Sequence, residues 1–98
     1  MGRYLVLWEV EKTRMSTDPK KRAEGTALLM AMVKQDIEKG LVKEWGSVVG
    51  ETRGFNLFEG SESDLATMVQ PYLPFINFEV LPVLSFTEAE EVLKAFSG

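Results

Sequence analysis

The chain contains no cysteine and no histidine. Without cysteine it has no disulfide, no thiolate nucleophile and no thiolate metal site. Without histidine it lacks the side chain that most often moves protons near neutral pH. Any chemistry therefore falls to Asp, Glu, Lys, Arg, Tyr, Ser or Thr, and no cofactor is expected. Long apolar runs are missing too. The longest, ALLMAMV, has seven residues, against the ~20 that a spanning helix needs. The start MGRYLVLWEV meets Glu9 too soon for the apolar core of a signal peptide. Val6 stands where a myristoylation signal carries Ser or Thr. No membrane association is expected, and the simplest location is the cytoplasm.

What is present suits one domain over residues 1–98. A chain of this length buries roughly 60–65% of the surface that it exposes unfolded, and 45% hydrophobic residues is ordinary for a globular protein. The net charge of −4 is unevenly placed: residues 1–43 hold nine Lys/Arg against six Asp/Glu, and residues 44–98 hold two against nine. An acidic chain is a poor prior for nucleic acid or anionic membrane.

RYLVLWEV is apolar on both faces, the pattern of a central strand. In DPKKRAEGTALLMAMVKQDIEKG, Thr17 or Asp18 caps a helix, Pro19 fits its first turn and Gly40 stops it. Its apolar stripe of Thr26, Leu29, Met30, Val33 and Ile37 is widened by Leu28 and Met32, beyond what one sheet needs. LVKEWGSVVG and RGFNLFEG form a hairpin through Gly50, Glu51 and Thr52. SESDLATMVQPYL is a second helix, capped by Ser61 and ended or kinked at Pro71. LPFINFEVLPVLSF is a fourth strand, with Ile76, Phe78, Val80, Pro82, Leu84 and Phe86 on one face. TEAEEVLKAF closes the chain as a helix with a Thr87–Glu90 capping box. This is βαββαβ plus a terminal helix. Right-handed crossovers give the sheet order 4-1-3-2, an α+β ferredoxin-like fold. Strand 4 is then an edge, where a proline is tolerated.

RGFNLFEG opens like the Lys/Arg-Gly-Phe signature of the RNA-recognition motif, which shares this topology. Asn56 and Leu57 then stand where that motif carries a small residue and an aromatic, so no nucleic-acid partner is expected. A broader resemblance runs from Asp18 to Leu84. Asp18-Pro19, Trp45 before the Gly50 hairpin, Asn56 and Phe58, Ser63 and Leu65, Leu73-Pro74-Phe75 and Phe78-Glu79-Val80 occur in the order and spacing of muconolactone isomerase. The chain thus resembles the dimeric α+β barrel group, and its uncharacterised small members above all. The resemblance implies a homodimer that binds a small apolar or carboxylate-bearing molecule. The alternatives are a cofactor-free isomerase or monooxygenase, or an assembly module with no ligand.

Three groups of residues are candidates for function. Lys12, Arg14, Lys20, Lys21 and Arg22 crowd the start of the first helix, where cations oppose the helix dipole. They read as a solvated loop partnered by Asp18 and Glu24, or as an anion site for an organic acid through Lys20 and Lys21. Among the strand glutamates Glu9, Glu44, Glu59 and Glu79, Glu79 has the most apolar neighbours and is the candidate base, with Arg53 as partner or ligand clamp. The others read as solvent-facing strand ends. Tyr4, Trp8, Trp45, Phe55, Phe58, Phe75 and Phe78 read mostly as core, or as walls of an apolar pocket anchored by Asn56.

Both helices belong on one face of such a sheet. Leu81 and Val83 then fall on the other, with Phe55 and Leu57, and a second copy packed sheet to sheet would cover them. Pro82 would keep that edge from recruiting further strands. The alternative cover is the terminal helix, folded back through Val92, Leu93 and Phe96.

Overall fold

The computed structural model describes residues 2–97. β1 (Gly2–Val10) is the central strand that its doubly apolar pattern demands. It pairs antiparallel with β3 (Arg53–Gly60) on one side and β4 (Ile76–Pro82) on the other, and β2 (Val42–Ser47) pairs with β3. The sheet order is β2-β3-β1-β4, which is 4-1-3-2 read from the far edge. The fold is the expected α+β, ferredoxin-like arrangement followed by a C-terminal helix.

Local signals place the helices. α1 (Pro19–Glu38) starts at Asp18, whose carboxylate accepts from the Lys20 amide at 3.0 Å. It stops before Gly40, whose φ of 78° is a conformation that only glycine adopts without strain. α2 (Glu62–Val69) is capped by Ser61, which accepts from the Asp64 amide at 3.0 Å. Pro71 ends it in a short 3-10 turn, Gln70–Tyr72.

The core is small and lies under α2. Leu65 and Met68 from the helix pack on Tyr4, Val6, Phe58 and Val42 from the sheet. α1 has no buried residue: Leu29, Met32 and Val33 are half-buried, and Leu28 is 65% exposed. The helix stands off the sheet, and its wide apolar stripe faces a space rather than a packed layer.

Three details differ from the sequence reading. β4 ends at Pro82, so only Ile76 and Phe78 of its apolar face are covered, and Val80, Pro82, Leu84 and Phe86 are exposed. α3 (Phe86–Ser97) starts one residue earlier than Thr87. Its capping box is Ser85 with Glu88: the Glu88 amide donates to the Ser85 hydroxyl, and the Ser85 amide donates to the Glu88 carboxylate. Finally, α3 does not fold across the open sheet face. It buries no residue, and Phe96 is 88% exposed.

The edge proline has a geometric account. The Val83 amide donates to the Arg3 carbonyl at 2.9 Å. Hydrogen-bonded pairs alternate along an antiparallel ladder, so the Pro82 nitrogen faces away from β1 and costs the sheet no bond.

Candidate functional site

Between α1 and the sheet lies a cavity of about 450 Å³, lined mainly by apolar side chains. This is within the range of small-molecule sites, roughly 300–1,000 Å³. Its sheet wall is built from the residues of all four strands that point toward the helices, Ile76 and Phe78 of β4 among them. Trp8 sits opposite Gly54, and Asn56 lies between Val6 and Trp45. Val42 and Trp45 are three residues apart and in a regular strand would face opposite ways. A bulge between Val42 and Glu44 brings both onto the helix side. There the Trp45 ring stacks on Trp8, with centroids 5.4 Å apart and planes 12° from parallel.

The Trp8 indole lies over Gly54 and donates from Nε1 to the Phe55 carbonyl at 3.3 Å. A Cβ at Gly54 would run into both that ring and the Gly46 carbonyl oxygen. The glycine therefore admits the tryptophan that forms the wall.

α1 is tied down over the far end of the cavity. The Tyr72 hydroxyl donates to Asp36 Oδ2 at 2.5 Å, and Tyr72 itself is buried. Burial first, and then the Asp36 hydrogen bond and charge, push the Tyr72 phenol well above its ordinary value. Tyr4 is pushed up as well, chiefly by burial and then by Glu62, to which it donates at 3.2 Å. These are the only two tyrosines in the chain. Phenolate absorbance should therefore show neither ionising near pH 10, the ordinary value of about 10. A raised folded-state pKa contributes stability that is intact below the unfolded value and fades as pH rises above it. The protein should thus weaken above about pH 10, and Tyr72→Phe should show less of that loss. A normal titration of both groups in the folded protein would contradict the buried tie.

The polar atoms of the cavity are unequal. Asn56 is 5% exposed, and its Oδ1 is buried with no hydrogen-bond donor. Arg14, Lys21 and Arg22 also line the space. Among the described residues the only ion pair is Arg53 with Glu51, at 3.1 Å, so these three cations have no acidic partner in contact.

Of the residues singled out in the sequence, the structure brings Trp8, Trp45, Asn56, Phe75 and Phe78 together around this cavity, with Arg14, Lys21 and Arg22 of the basic cluster. Phe58 lies beside it in the core, fully buried. Lys20 is exposed and its side chain is outside the lining. Arg53 is on the hairpin, held by Glu51. Glu79 is opposite Leu7 on the open face of the sheet, exposed and on the far side from the cavity. The sequence reading missed the Tyr72–Asp36 tie and the part of Ile76 in the lining.

No helix among the described residues is long and apolar enough to cross a membrane. No curated protein matches the chain. A family model described as a domain of unknown function, DUF3303, matches residues 3–97. With nearly every residue inside that match, the chain belongs to the DUF3303 family.

Proposed function

We propose that this protein binds a small, largely apolar molecule in the cavity between α1 and the sheet. The observation that carries the reading is the Asn56 carbonyl oxygen, buried without a donor beside the apolar walls of the cavity. An orphan acceptor of this kind costs about 1–3 kcal/mol, a cost that a bound hydrogen-bond donor would offset. The α1 stripe agrees, since it presents Leu29, Met30 and Val33 to a space instead of a layer.

We also propose that the chain acts as a homodimer, through the sheet face that the helices leave open, as in the dimeric α+β barrel group. For the isomerase or monooxygenase alternative a base would have to reach the cavity. The carboxylates that line it, Glu11, Asp36 and Glu51, are each already accepting hydrogen bonds. Binding without turnover is the reading we adopt.

Asn56→Leu separates binding from structure. An asparagine kept for packing alone should lose stability when replaced. An asparagine kept for a ligand should, when made apolar at similar volume, raise the stability of the free protein by about 1–2 kcal/mol. Thermal melts of the two proteins, with and without a panel of small organic compounds, provide the test. Bound compounds raise the melting temperature according to their concentration and affinity. A destabilised Asn56→Leu protein, together with a panel that moves neither melt, would remove the reading.

A further inference from the structure

The cavity lining is chemically polarised, and on the binding reading above it specifies the class of ligand. At the sheet wall Asn56 Oδ1 is an acceptor to which nothing donates. A ligand that satisfies it brings a hydroxyl or an N–H. Beside Asn56 the stacked Trp8 and Trp45 rings offer flat aromatic surface, which favours a planar ring system packed against them.

The other end of the cavity is cationic. Arg14, Lys21 and Arg22 line it without an acidic partner in contact. The acids that share the lining are engaged: Glu11 accepts from the Thr13 hydroxyl and the Asn77 amide, Asp36 from Tyr72, and Glu51 from Arg53. The first turn of α1 holds no acid, although the helix dipole favours negative charge there. Three cations gathered here with no carboxylate in contact suit an anion. Asn56 faces Val6, and the cationic segment follows Val10. Four strand residues separate these levels by roughly 13 Å, and long cationic side chains shorten the gap.

We infer that the cavity takes a planar, ring-bearing organic acid with a hydroxyl at the end remote from its carboxylate. The hydroxyl donates to Asn56 Oδ1, the ring lies along Trp8 and Trp45, and the carboxylate meets Arg14, Lys21 and Arg22.

Equilibrium dialysis of the intact protein against four probes tests this: para-hydroxycinnamate, cinnamate, the methyl ester of para-hydroxycinnamate, and the neutral hydrocarbon indene. The hydroxy acid should bind about tenfold more tightly than either the acid without hydroxyl or the ester without charge, the factor expected for one such contact. Asn56→Leu should erase the preference for the hydroxyl. Neutralising the three exposed cations together (Arg14→Gln, Lys21→Gln, Arg22→Gln) should erase the preference for acid over ester and leave ester binding unchanged. Equal affinity for all four probes, or binding of indene alone, would overturn the ligand class and leave the binding reading standing. If none of the four binds, both fall.

Discussion

Phe58→Ala should cost about 3–5 kcal/mol, the usual loss when a fully buried aromatic becomes alanine. Phe58 is 0% exposed and sits opposite both Tyr4 and Val42, under Leu65 and Met68. The core that it anchors has few members, so little surrounding structure can close the hole. A domain of this size has a net stability of only ~5–15 kcal/mol, so the variant should be marginal at best. Phe55, three residues earlier on the same strand, faces the other side of the sheet and is 38% exposed. Phe55→Ala should keep the fold. Guanidinium melts of the two variants in parallel make the comparison: a Phe58→Ala midpoint close to that of the parent would mean that the core is elsewhere.

That contrast was legible in the sequence, because a period of two assigns Phe55 and Phe58 to opposite faces once the strand is recognised. The element order, the sheet order and the Asp18 and Ser61 caps were legible for similar reasons. Each depends on chain-local chemistry plus the handedness of crossovers. What failed to show was set by contacts between distant segments. The bulge that turns Trp45 toward Trp8 depends on how β2 is matched to β3. Ser85 wins the cap from Thr87 because the last β4 ladder bond is that of Val83, which frees the chain for helix two residues later. Periodicity showed that α1 has an apolar stripe, but a stripe is the same whether it meets a layer or a cavity. The Tyr72–Asp36 bond joins residues 36 positions apart, and no local pattern predicts such a pair. Trp8, Trp45, Asn56 and Lys21 were recognisable as candidates by residue type. Their convergence on one space required the fold.

The Leu81→Lys, Val83→Lys double variant should convert a dimer of about 22 kDa, twice the 11.0 kDa chain, into a monomer. The case for the dimer is one of surface area. A compact monomer of this mass exposes about 5,600 Å², whereas the chain exposes 7138 Å². The excess of roughly 1,500 Å² falls in the range that one subunit buries in an obligate homodimer, about 1,000–2,500 Å². The shape agrees: the radius of gyration is 16.2 Å, against about 13 Å for a compact chain of this length. Two features supply unpartnered apolar surface. One is the open sheet face, where Leu5 meets Leu57 and Leu81 in register and Leu7 meets Phe55. The other is α3, whose Val92, Leu93 and Phe96 touch no core. A twelve-residue helix is marginal in water without a packed face, and the sheet of its own chain does not provide one. A second copy about a twofold axis would cover the sheet with the same patch from its partner and would offer α3 a surface to grip. Two lysines on β4 and just beyond it would bring four like charges close to the axis, and burying unpaired charge costs far more than the contacts return. Light scattering at micromolar concentration reads the outcome. The parent should run at the dimer mass with a melting temperature that rises with concentration. The variant should run as a monomer, and it should melt lower with no such dependence. A parent chain that is monomeric under these conditions would dispose of the dimer.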